Sequence, residues 1–165
     1  MSIISFFKEA GEKLFGGSSA AATPAAAPAA PDPAQVAALN QAAAKAIGDY
    51  IATQGLTAEG LALEFDGASS TVSVSGIAAD QATKEKIVLC CGNVRGVAGV
   101  NDLMTVQAPA DESRWYTVVR GDTLSKISKD HYGNANEYMK IFEANKPMLG
   151  HPDKIYPGQL LRVPA

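Results

Sequence analysis

Two short stretches hold residues whose types and spacing could bind a ligand. Gly92-Asn93-Val94-Arg95-Gly96 follows an apolar run of helical period. A helix end leaves up to about four carbonyls without a backbone partner, and glycines permit the turns that aim such carbonyls inward. The helix dipole is negative at that end, so the natural guest is a cation. The same glycines could simply end a helix and begin a strand, and the residues alone leave both readings open. The second stretch is split between Gly121-Asp122-Thr123 and Lys154-Ile155-Tyr156-Pro157. Gly121, Pro157 and Gly158 are turn formers there, and Asp122 is expected to cap a helix whether or not a ligand sits beside it.

Other reactive side chains are sparse. His131 and His151 have no cluster of Cys or acidic residues around them, so no transition metal is expected. Cys90 and Cys91 are adjacent, where ordinary disulfide geometry is hard to reach. They lie in an apolar helical run, and at least one is expected in a core as an unreactive thiol. No Ser/His/Asp order, phosphate-cradling loop or paired-carboxylate context stands out, which favours a binding protein over an enzyme. A net charge of −3 and a pI of about 5.3 give no reason to expect nucleic acid or anionic lipid as a partner.

The elements that must position these residues follow from periodicity. The chain has 165 residues, enough for two small domains at roughly 50 or more residues each. Residues 1–17 carry Ile3, Phe6, Phe7, Ala10, Leu14 and Phe15 at helical spacing, which predicts an amphipathic helix. Lys8, Glu9, Glu12 and Lys13 interrupt its apolar run, so it fails as an export signal, and the expected compartment is the cytoplasm. Residues 18–33 alternate Ala with Pro and read as an extended linker.

A domain at 34–107 starts with a helix over Val36 to Ile51. A hairpin follows around Asp66-Gly67, ending at Gly76. Next come a helix capped by Asp80 and a strand from Val97 to Val106, giving αββαβ. A polar joint at 108–113 leads to a second domain at 114–165. There Trp115 to Val119 and Leu160 to Val163 are strands around two helices, giving βααβ. The expected fold class is therefore α+β, two small domains behind an N-terminal helix.

Taken together, Tyr116-Thr117-Val118, Gly121-Asp122-Thr123-Leu124, Ile127, Tyr132-Gly133, Ile141, Asn145 and Ile155-Tyr156-Pro157-Gly158-Gln159 resemble the LysM family. Val72-Ser73-Val74-Ser75-Gly76 with Val94-Arg95-Gly96-Val97-Ala98-Gly99-Val100 resembles a BON domain. With the N-terminal Phe-Phe-Lys-Glu-Ala-Gly-Glu-Lys-Leu-Phe helix, the whole resembles bacterial cytoplasmic potassium-binding proteins of BON-LysM architecture. The long Ala/Pro stretch departs from that group's shorter connection.

The resemblance implies a potassium sensor or buffer that closes its domains around one ion. Potassium is selected by several neutral carbonyls that replace its water shell, whereas carboxylates would favour calcium or magnesium. Carried onto this sequence, the resemblance places the ion at the carbonyls of Gly92, Val94 and Gly96. The N-terminal helix would close over it through Phe7, Ala10 and Glu12. Rubidium and caesium are the candidate substitutes, and the protein is expected to be a monomer. The LysM resemblance implies an alternative: a peptidoglycan adaptor at the cell envelope, binding N-acetylglucosamine-containing glycan between Gly121, Asp122, Thr123 and Lys154, Ile155, Tyr156, Pro157. Without export, that glycan would be out of reach.

Overall fold

The computed structural model describes residues 32–165. The predicted N-terminal helix, with Phe7, Ala10 and Glu12, and most of the predicted linker lie outside the described residues. Asp32 and Pro33, assigned to the linker from sequence, instead open the first helix, α1 (Pro33–Thr53). The Asp32 carboxylate accepts from the Ala34 N–H at 2.9 Å, and Pro33 loses nothing by lacking an N–H that would be unpaired anyway. α1 buries Ala43, Ala44, Ile47 and Ile51, one helical stripe at the expected spacing.

β1 (Glu59–Asp66), β2 (Thr71–Asp80), α2 (Gln81–Gly92) and β3 (Gly99–Ala108) complete the first module. β1 pairs antiparallel with β2, placing Leu63 against Val74 and Phe65 against Val72. β2 pairs parallel with β3, placing Val72 beside Val100 and Gly76 beside Met104. A parallel pair needs a crossover, and α2 supplies it after Asp80 caps its start by accepting from Thr83 N–H at 2.7 Å. The predicted order αββαβ holds. β2 does not stop at Gly76, however. Gly76 sits at φ +141 against a register shift in β1, where a Cβ would come within 3.1 Å of the Glu59 carbonyl oxygen. Glycine here admits a bulge and the strand continues. Ile47, Ile51, Val72, Val74, Ala78, Ile87, Cys90, Cys91 and Met104 form the core.

The second module comprises β4 (Arg114–Thr117), α3 (Leu124–Tyr132), a 3-10 turn (Ala135–Glu137), α4 (Tyr138–Ala144) and β5 (Leu160–Val163). β4 and β5 pair antiparallel, with Trp115 opposite Arg162 and Thr117 opposite Leu160. Leu124, Ile127, Ile141, Phe142, Leu161 and Val163 fill the space between the two-stranded sheet and the helices. Asn145 ties α4 to β5 from within. Its Nδ2 donates to the Arg162 carbonyl at 2.7 Å and its Oδ1 accepts from the Arg162 N–H at 2.9 Å. Gly133 ends α3 at φ +76 in the left-handed region, which costs glycine little.

Candidate cation site and the joint between modules

The last turn of α2 carries the predicted carbonyl run. Asn93 N–H bonds back to the Leu89 carbonyl at 3.1 Å, and Val97 N–H donates to the Val94 carbonyl at 3.1 Å. Among the described residues, no backbone N–H donates to the carbonyls of Gly92 or Gly96. A peptide carbonyl near a helix end that lacks a donor is an available acceptor for water or a cation. Gly96 sits at φ +93, so the turn predicted from its lack of a side chain is present. Gly92 has a different reason to be glycine. A Cβ there would lie 2.9 Å from Leu160 Cδ2, because the second module's β5 packs directly on the end of α2. The Val94 side chain is buried in the first core, which fixes the middle of the run.

No grouping of three or more His, Cys, Asp or Glu suited to a metal occurs among the described residues. The donor set at the end of α2 is one of neutral carbonyls, which fits a large monovalent cation better than calcium or zinc. Both cysteines are buried. Burial pushes their thiols up to about 12, so they stay protonated at neutral pH and reactive-thiol chemistry is suppressed.

β5 meets α2 and its C-terminal end at Glu85, Gly92 and Asn93. Glu85 is 4% exposed and Arg162 is 9% exposed. The Glu85 carboxylate accepts from Arg162 Nε, from Gln81 Nε2 at 2.9 Å and from the Ser113 N–H at 2.8 Å. Burial alone would raise the Glu85 pKa, but the hydrogen bonds from Gln81, Ser113 and Arg162 together outweigh it and the net shift is downward. Asn93 adds two bonds to the backbone of Leu160, donating at 3.0 Å and accepting at 2.9 Å. The Cys90 thiol contacts Met148 Sδ at 3.2 Å, and Met148 packs on the first module's core. The modules are thus joined by buried polar and apolar contacts. None of Glu85, Asn93, Met148 or Arg162 is flagged by sequence as part of a joint. The available signal is that Gln81, Glu85, Val88 and Gly92 recur at helical spacing, placing a carboxylate on an otherwise uncharged stripe.

The two loops of the predicted glycan groove lie side by side. Val118 N–H donates to the Gln159 carbonyl at 2.9 Å and Gly158 N–H to the Val118 carbonyl at 2.8 Å. The Asp122 carboxylate is spent within its own loop, accepting from Tyr116 Oη at 2.7 Å, Val119 N–H at 2.9 Å and Lys126 Nζ at 3.0 Å. The Val119 N–H, with the Tyr116 hydroxyl and Lys126 ammonium, holds its pKa down to about 2. Asp122 does not cap α3. The N-cap is Thr123, whose hydroxyl accepts from Lys126 N–H at 3.2 Å. Gly121 is at φ +91, and Gly158 at φ +87 closes a turn in which Gln159 N–H donates to the Tyr156 carbonyl at 3.1 Å, the geometry of a type II turn. Tyr156 is 55% exposed and remains free for contact. The His131 ring stands edge-on to Tyr116 with centroids 5.6 Å apart. An open groove of about 820 Å³ between α1 and β1 is lined, among the described residues, by none of the predicted site residues.

The two modules match two domain families in sequence: residues 39–108 match the BON domain and residues 116–164 the LysM domain. The particular likeness is to the potassium binding protein Kbp of Escherichia coli, 57% identical over 97 residues, which is 59% of this chain and 65% of Kbp. The chain thus aligns with slightly less than two thirds of that relative. An uncharacterized protein of Deinococcus radiodurans is 50% identical over 50 residues, 30% of this chain and 19% of that protein.

Proposed function

We propose that this chain binds potassium in the cytoplasm. The ion is held by the carbonyls of Gly92, Val94 and Gly96, and the N-terminal segment adds those of Phe7, Ala10 and Glu12. The observation that carries the reading is the 57% identity to a potassium binding protein together with the same order of modules. The availability of the Gly92 and Gly96 carbonyls supports it, as does the second lone pair on the Val94 carbonyl. Such a site acts by binding and not by catalysis. Because the second module is seated on the turn that bears these carbonyls, ion occupancy is read out as tighter closure of the two modules.

A second reading is glycan binding by the LysM module, favoured by the adjacency of its two loops and by the exposed Tyr156 ring, a ready stacking surface for a sugar. Calorimetry separates the two. Potassium, rubidium, sodium and magnesium chlorides at matched ionic strength are titrated into the protein alongside a soluble chitooligosaccharide. Saturable heat with potassium and rubidium alone supports the first reading. Heat from the chitooligosaccharide, with all salts alike, overturns it.

A further inference from the structure

The candidate carbonyl turn is gripped in its middle by the other module. Asn93 lies between Gly92 and Val94, and its side chain is half-buried between the end of α2 and β5. Nδ2 donates to the Leu89 carbonyl at 3.1 Å and to the Leu160 carbonyl at 3.0 Å, while Oδ1 accepts from the Leu160 N–H at 2.9 Å. The amide therefore behaves as a short piece of strand laid against the edge of β5 that faces away from β4, and the same group closes the last turn of the helix. Beneath it, the missing Cβ of Gly92 lets Leu160 approach the α2 backbone. A side chain that holds its own helix end and a neighbour's strand at once cannot keep both when either moves by more than a few tenths of an ångström, because hydrogen bonds weaken steeply with distance and angle.

We infer that Asn93 is a positioning residue: through it, β5 of the second module sets the aim of the flanking Gly92 and Val94 carbonyls, so that ion binding and module docking are one coupled equilibrium. This rests on the carbonyl-site reading above. Asn93 contributes no ligand atom. It fixes the backbone torsions between two residues that do, and it transmits their adjustment on ion binding to Leu160. By linkage, whatever factor docking adds to ion affinity, the ion adds to docking. A simple helix cap would bond to Leu89 and have no need to take both polar groups of Leu160.

The test uses the full chain with Asn93→Ala and Asn93→Ser, the latter still able to cap the helix end but too short to span to Leu160. Potassium affinity is measured by calorimetry. Coupling is read from the Met148 methyl resonance and from amide exchange at Leu160, both with and without saturating potassium chloride. In the wild type, potassium should shift the Met148 methyl signal and slow exchange at Leu160. Both variants should bind potassium about tenfold more weakly, and their Met148 signal should no longer respond to the ion. If a folded variant binds potassium as the wild type does, or if its Met148 signal still shifts, Asn93 is only a cap and the inference is overturned. A wild-type protein that ignores potassium would overturn the carbonyl-site reading and this inference with it.

Discussion

Asn145 and Asn93 grip the same edge of β5 with the same chemistry, yet they stand in different regions of the molecule. Asn145 belongs to the second module, is 1% exposed, and pairs with both polar groups of Arg162. Asn93 belongs to the first, is half-buried, and pairs with both polar groups of Leu160 two residues earlier. Inside a module, an amide laid against a strand edge substitutes for a missing neighbour strand and stabilises one fold. Across a joint, the identical grip ties two modules together, and because it is only half-buried, water can reach the groups it pairs. Burial, not the residue type, decides which role the asparagine plays.

Substitution at the two asparagines and around them separates the two roles. The largest effect is expected from Asn145→Ala, which leaves the Arg162 N–H and carbonyl buried without partners. It should lower stability by about 4 kcal/mol in urea unfolding. Arg162→Met strands the buried Glu85 carboxylate at the joint and should cost about 3 kcal/mol. The wild type should also lose stability in acid for the same reason. The Glu85 pKa is lowered by folding, so its contribution is complete above the ordinary glutamate value of about 4.3 and disappears as pH falls through the lower folded value. Melting temperature should therefore hold down to about pH 5 and then drop, with a smaller drop in Arg162→Met. Asn93→Ala should cost only about 1 kcal/mol, since solvent can reach the groups it leaves. A cost equal to that of Asn145→Ala would erase the distinction. Gly121→Ala, at φ +91 with open space around it, should cost about 1 kcal/mol from backbone strain alone and leave any ion response intact. Smallest of all, Tyr156→Ala should change stability by less than about 0.5 kcal/mol.

Much of this architecture is legible in the chain itself. Helical spacing in α1, the Asp80 cap, Gly133 and the Tyr156-to-Gln159 turn are local features, and local chemistry determines them. Gly76 misleads because glycine marks bulges as well as strand ends, and only the opposing register tells which. Asp122 misleads because two adjacent residues could cap α3, and the phenol of Tyr116 claims the first of them. The candidate carbonyl turn is visible as a Gly-x-x-x-Gly run after a helix, but its availability depends on which N–H groups reach it, a matter of tertiary packing. The joint is the least legible part. Glu85 and Arg162 are 77 residues apart in sequence, and nothing local announces that they meet.

The proposed ion site consists of the backbone carbonyls after α2. Carbon-13 chemical shifts of the Gly92, Val94 and Gly96 carbonyls, followed through matched titrations with potassium and sodium chloride, test it directly. Saturable shifts are expected at these carbonyls with potassium, while the carbonyls around Gly121 and Gly158 stay still. Shifts that are equal for both salts, or that spread evenly over both loops, would contradict it.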